Sequence, residues 1–124
     1  MIGTFMELQT LENDLTQYLD QAKELSNDST SRQNLFDLIE SHLTDPRQTS
    51  SYEAFFKGEH AFYSGEYDKA LKFYFEAKTV PNYQFFCYRA SAGLFQETGE
   101  KDKAKSYAEK ALGLDSKDIF CQNI

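Results

Sequence analysis

Gly65-Glu66-Tyr67-Asp68-Lys69-Ala70 is answered 34 residues later by Gly99-Glu100-Lys101-Asp102-Lys103-Ala104, and the match continues with Phe73 against Tyr107 and Ala77 against Ala111. Self-similarity at a fixed period of this length is the mark of a repeated supersecondary unit. Working outward from the two glycines gives units at 51–84 and 85–118. Each unit has the pattern of two helices around a glycine. Ala54, Gly58 and Ala61 share one face of the first helix, and side chains this small let a neighbouring helix approach closely. Gly65 stands where that helix must stop, because glycine accepts the left-handed backbone that ends helices. Ala70, Tyr74 and Ala77 line the second helix. The next unit repeats the scheme with Tyr88, Ala92 and Phe95, then Gly99, then Ala104, Ala108 and Ala111. Ser50 with Glu53 has capping-box spacing, and Asn82 after Pro81 is placed to cap the following helix.

Upstream, Leu8, Leu11, Leu15, Tyr18, Ala22 and Leu25 form a stripe that predicts a long amphipathic helix over 5–26. Asn27–Ser31 is a polar break. Leu35, Leu38, Ile39 and His42 or Leu43 mark a second helix, which Asp45-Pro46 ends. Residues 5–48 therefore read as a helical hairpin, either a degenerate repeat over 15–48 or an N-terminal cap. Residues 119–124 form a tail that could begin a further helix. The chain of 124 residues has the length of a single domain, spanning 1–124.

The pattern resembles the tetratricopeptide repeat (TPR) family. Counting Ser51 and Phe85 as position 1, small residues stand at position 8 (Gly58, Ala92), glycines at 15, and alanines at 20 and 27. Position 11 is Ala61 in one unit and Phe95 in the other. The chain departs from the family where Ala54 and Tyr88 replace the frequent Trp at 4, where Lys57 and Ser91 replace Leu at 7, and where Pro81 falls one place early. The resemblance implies an all-α solenoid of antiparallel helix pairs in a right-handed superhelical stack. It also implies a concave face lined by positions 2, 5, 9 and 12. Here those are Tyr52, Phe55, Glu59 and Phe62, then Phe86, Arg89, Gly93 and Gln96.

These eight are the expected partner-binding residues. The first four share a helix face distinct from the small-residue face, so this helix is apolar on two sides. Either a partner peptide or the N-terminal helix folding back could cover the second side. Gly93 would leave room for a bulky anchor, and Arg89 and Glu59 would fix its orientation. The Lys/Asn/Arg clamp with which some TPR proteins grip heat-shock chaperones is missing: its positions hold Phe55 and Glu59, or in the other register Phe56, Phe86 and Ala90. A small, acidic TPR chain with an aromatic groove is more similar to the class II chaperones of bacterial type III secretion.

Charge and composition narrow the remaining classes. A net charge of −7 disfavours nucleic acid and anionic membrane, and suits an apolar or basic protein partner. The first residues lack a secretory pattern and no apolar run is long enough for membrane insertion, so the expected location is cytoplasmic. Cys87 and Cys121 lie one repeat apart and read as equivalent positions rather than a disulfide. His42 and His60 have no ligand-spaced neighbours, Gly65-Glu66 and Gly99-Glu100 are turns rather than phosphate cradles, and no nucleophile motif occurs. No metal, cofactor or catalysis is expected. The expectation is a non-catalytic binding module, an adaptor or chaperone. The alternative is a self-associating structural module whose N-terminal helix fills the groove, which leaves a homo-oligomer open.

Overall fold

The computed structural model describes residues 2–124, with side chains from Gln9 onward except that of Ser29. Leu8 of the N-terminal stripe thus lies outside the described side chains. The chain is all-helical among the described residues, with α1 (Ile2–Ser26), α2 (Arg32–Leu43), α3 (Ser50–Tyr63), α4 (Tyr67–Glu76), α5 (Tyr83–Glu97), α6 (Lys101–Leu114) and the short α7 (Ile119–Gln122). Each helix packs against the next in chain order, and α7 also returns to α5.

The two repeat glycines do what the backbone requires of them. Gly65 and Gly99 have φ of 80° and 83°. After α3, Gly65 N donates to Phe62 O (3.0 Å) and Glu66 N to Ala61 O (2.9 Å); after α5, Gly99 N donates to Gln96 O (3.2 Å) and Glu100 N to Phe95 O (2.9 Å). This paired bonding is the Schellman ending, so α3 and α5 stop by the same device. Gly58 serves packing instead. A Cβ there would come within 2.7 Å of the Tyr74 ring, so only glycine lets α4 lay Tyr74 across α3.

Two caps differ from the sequence expectation. Thr49, not Ser50, caps α3, its side chain accepting from Tyr52 N (3.3 Å). Ser50 is already helical, and Glu53 pairs one turn on with Lys57 (3.0 Å) instead of closing a capping box. Asn82 does precede α5 but adopts the left-handed conformation (φ 60°) and makes no side-chain cap bond among the described residues. The second helices are also unequal. Pro81 biases Val80 away from helical backbone, and α4 ends at Glu76, whereas α6 runs to Leu114.

The core is a chain of rings. Phe55 is fully buried, with Phe86 at 4.8 Å, Phe56 at 5.1 Å, Tyr74 at 5.9 Å and Tyr18 at 6.2 Å between centroids. Leu11, Leu15, Tyr18 and Ala22 of the α1 stripe are buried, and Leu25 is half-buried. His42 extends the stack, lying 4.5 Å from Phe56 at 5° and meeting Tyr18 edge-on at 5.4 Å.

Burial lowers the pKa of His42 below its ordinary 6.5, against the opposing pull of Asp14 and Asp45. The unfolded chain therefore takes up the proton first as pH falls. The stability that His42 contributes is present above its unfolded pKa and is lost as pH drops through its folded one. Melting temperature should thus fall between pH 7 and about pH 5.5, and fall less in His42→Phe. Parallel pH profiles for the two chains would contradict this assignment.

Candidate functional site

A cavity of about 930 Å³ opens on one side of the helix array, walled mainly by α1, α3, α5 and α7. Its size is that of a site for a substantial ligand or a few side chains of a partner. Leu15 and Leu19 face it from α1, Phe62 and Tyr63 from α3, Phe85 and Phe86 from α5, and Phe120 from α7. These side chains arrive here because alternate helices present the same side. The intervening helices α2, α4 and α6 contribute chiefly their ends, at Arg32, Tyr67 and Leu114.

An ionic network lies in the cavity wall. Glu59 on α3 is 1% exposed. Its Oε1 accepts from the Tyr18 hydroxyl (2.9 Å), and its Oε2 accepts from the Tyr74 hydroxyl and from Arg89 Nη2 (3.1 Å). Arg89 also pairs with Asp118 through Nη1 at 3.5 Å, and its guanidinium carbon lies 4.1 Å above the Phe62 ring. Its Nε is buried with no hydrogen-bond partner among the described residues. Burial, and then the neighbouring Glu59 charge, push Tyr18 and Tyr74 well above the usual phenol range. Both therefore stay protonated and serve as donors. Four helices (α1, α3, α4 and α5) and the segment leading into α7 thus meet at one carboxylate–guanidinium pair.

The eight residues expected on the binding face divide evenly. Glu59, Phe62, Phe86 and Arg89 line the cavity. Tyr52, Phe55, Gly93 and Gln96 do not. Tyr52 and Phe55 are core residues, because α1 packs on that side and Tyr18 reaches the ring cluster around Phe55. The expectation of an open aromatic groove is corrected at these two. Gly93 leaves no room for an anchor either, since a Cβ on it would come within 2.8 Å of the Tyr67 ring; the space is already filled. Gln96 is exposed on α5, outside the cavity. Glu59 and Arg89 engage each other rather than standing free to orient a ligand.

Sequence reasoning missed the contribution of α1. Thr16, Leu19, Lys23 and Ser26 all line the cavity. Counted from Leu15, they hold the positions 2, 5, 9 and 12 that Tyr52, Phe55, Glu59 and Phe62 hold counted from Ser51. That register was the available signal. Nothing in the spacing pointed to Tyr63, or to the return of Asp118 and Phe120.

Cys87 and Cys121 are both free and buried. Burial pushes their thiols up, to about 11 and about 12, with Asp118 adding to the effect at Cys121. Among the described residues, no group of three or more His, Cys, Asp or Glu could hold a metal ion, and no helix is long and apolar enough to cross a membrane. No protein-family model matches the chain, and no curated protein or solved structure matches it.

Proposed function

We propose that this chain is a non-catalytic, TPR-like interaction module, an adaptor or chaperone that holds a segment of a partner protein between α1 and α5. The observation that carries this reading is the cavity itself, where Leu19, Phe62, Phe85 and Phe86 border open space beside a buried ion pair. Apolar walls around a few fixed polar groups are the general form of a recognition site. The helix order, the two Schellman glycines and the shared register of α1 and α3 support a helical-repeat architecture with this cavity on its concave side.

Photo-crosslinking tests the reading. A photoreactive residue at Thr16 or Lys23, in the cavity wall, should capture one and the same protein in native cells. The same group at Lys105, exposed on α6, should not. Adducts formed equally from all three sites, or from none, would remove the cavity as the binding face.

A further inference from the structure

Phe120 lies in an aromatic corner of the cavity. Its ring lies 5.0 Å from Phe62 and 6.0 Å from Tyr67, so it reaches past α5 to the preceding helix pair. Two residues earlier, Asp118 pairs with Arg89, whose guanidinium carbon lies 4.1 Å from the centroid of the same Phe62 ring. An acid and an aromatic spaced i, i+2 thus engage a cation and a ring side by side on the wall.

The element that carries them is small. Only the four residues Ile119–Gln122 are helical, far below the length at which a helix holds itself together in water. Its internal support is local: backbone bonds such as Gln122 N to Asp118 O (3.1 Å) and Asn123 N to Ile119 O (3.1 Å), the Asp118 side chain accepting from Cys121 N (3.0 Å), and Gln122 Nε2 donating to Ser116 O (2.8 Å). Ile119 beside Phe120 is 44% exposed. The order of α7 therefore depends on what it docks against. The wall also has capacity for a carboxylate. Apart from Asp118, its charges are Glu12, Asp20, Glu59 and Asp115 against Lys23, Arg32 and Arg89, and the opening for a carboxylate is at Arg89, whose Nε has no partner among the described residues. Removing Asp118 would leave that buried guanidinium with Glu59 as its one paired carboxylate.

Resting on the reading of the cavity as a binding site, we infer that Asp118–Phe120 is an internal stand-in for the partner. The true ligand is a segment of another protein with an acidic residue two positions before an aromatic one. It displaces α7, places its carboxylate on Arg89 and lays its ring against Phe62 and Tyr67. Docked α7 then acts as a competitor that weak or mismatched segments do not displace.

The test uses a fluorescein-labelled peptide with the sequence Asp115–Ile124, carrying Cys121→Ser, added to the full wild-type chain and to Phe120→Ala. A tethered segment competes at an effective concentration in the millimolar range, so the peptide should bind Phe120→Ala about tenfold or more tighter than wild type. Peptides carrying Phe120→Ala or Asp118→Asn should lose most of that binding. In the wild-type chain Cys121 is 2% exposed and its thiol is protonated. Saturating peptide should free α7 and accelerate maleimide labelling of Cys121 by about fivefold or more, with Cys87, resolved by mass spectrometry, unchanged.

The inference is overturned if the peptide binds a folded Phe120→Ala chain no better than wild type, or as well without its phenylalanine; α7 is then a fixed cap. If Phe120→Ala does not fold, the wild-type labelling arm decides alone, and an unchanged Cys121 rate at millimolar peptide rejects displacement. Crosslinks from Thr16 and Lys23 alongside a failed peptide would reject the acid–aromatic ligand and keep the cavity. Peptide displacement without those crosslinks would reject the cellular partner and keep the acid–aromatic recognition.

Discussion

Phe55→Ala is expected to cost about 3–5 kcal/mol, the range for truncating a buried phenylalanine, and so to remove much of the stability of a chain this size. Phe55 is fully buried where rings from α1, α3, α4 and α5 converge. Deleting it leaves a void that Phe86 can fill only by leaving Tyr74, and Tyr18 only by leaving Glu59. Neither relaxation is cheap, because Glu59 holds both tyrosine hydroxyls. Loss of helicity on urea or thermal denaturation, followed by circular dichroism, should move to much lower denaturant or temperature. The contrast is Leu19→Ala. That side chain borders the cavity and is only half-buried, so its removal should cost about 1 kcal/mol or less. If Phe55→Ala kept wild-type stability and merely lost partner binding, the position would be a recognition residue after all, and the α1 packing described above would be wrong.

The difference between those two residues shows where the sequence stops speaking. Gly65 and Gly99 could be read as helix stops because their role is local; the left-handed backbone and its two hydrogen bonds involve only the preceding turn. Helix positions were legible for the same reason, from the spacing of Ala54, Gly58 and Ala61 or of Leu11, Leu15 and Tyr18. The second apolar face of α3 was equally visible, but its occupant was not. A helical face of Tyr52, Phe55 and Phe62 looks the same whether solvent, a partner or α1 lies on it. Tyr18 settles it for Phe55 from 37 positions away, a separation no periodicity encodes. Thr49 displaced Ser50 as cap because the β-region backbone a cap needs falls one residue earlier (φ −78°, ψ 166°). Glu59 and Arg89 looked like groove charges, at positions 9 and 5 of consecutive units. Their mutual pairing and the return of Asp118 depend on tertiary distances alone.

That buried network carries the other large effect. Glu59→Ala should destabilise the chain by about 3–5 kcal/mol, as removal of one partner from a buried ion pair does. The substitution strands three donors at once: the hydroxyls of Tyr18 and Tyr74, and Arg89 Nη2. The guanidinium suffers most, because its remaining carboxylate is Asp118 at 3.5 Å, the residue that caps the small α7. Glu59→Gln should cost less, since the amide oxygen still accepts from a tyrosine, though Arg89 loses its nearest counter-charge. The informative comparison is the pair removed together. In Glu59→Leu with Arg89→Met both members of the buried pair go together and apolar volume is kept, which leaves no guanidinium stranded in the core although Asp118 at its edge loses its cation. The double variant should therefore be more stable than Glu59→Ala, because an intact buried pair contributes little net stability over apolar packing. Chemical denaturation of the three chains reads this directly. A double variant as damaged as Glu59→Ala would mean that the tyrosine bonds, not the ion pair, carry the energy. Such a double variant would also lack the cation that Asp118 engages, so Cys121 in α7 should label faster even though the rest of the core is intact. Stability and α7 docking thus separate at Arg89: the fold can do without its charge, whereas the Asp118 contact cannot.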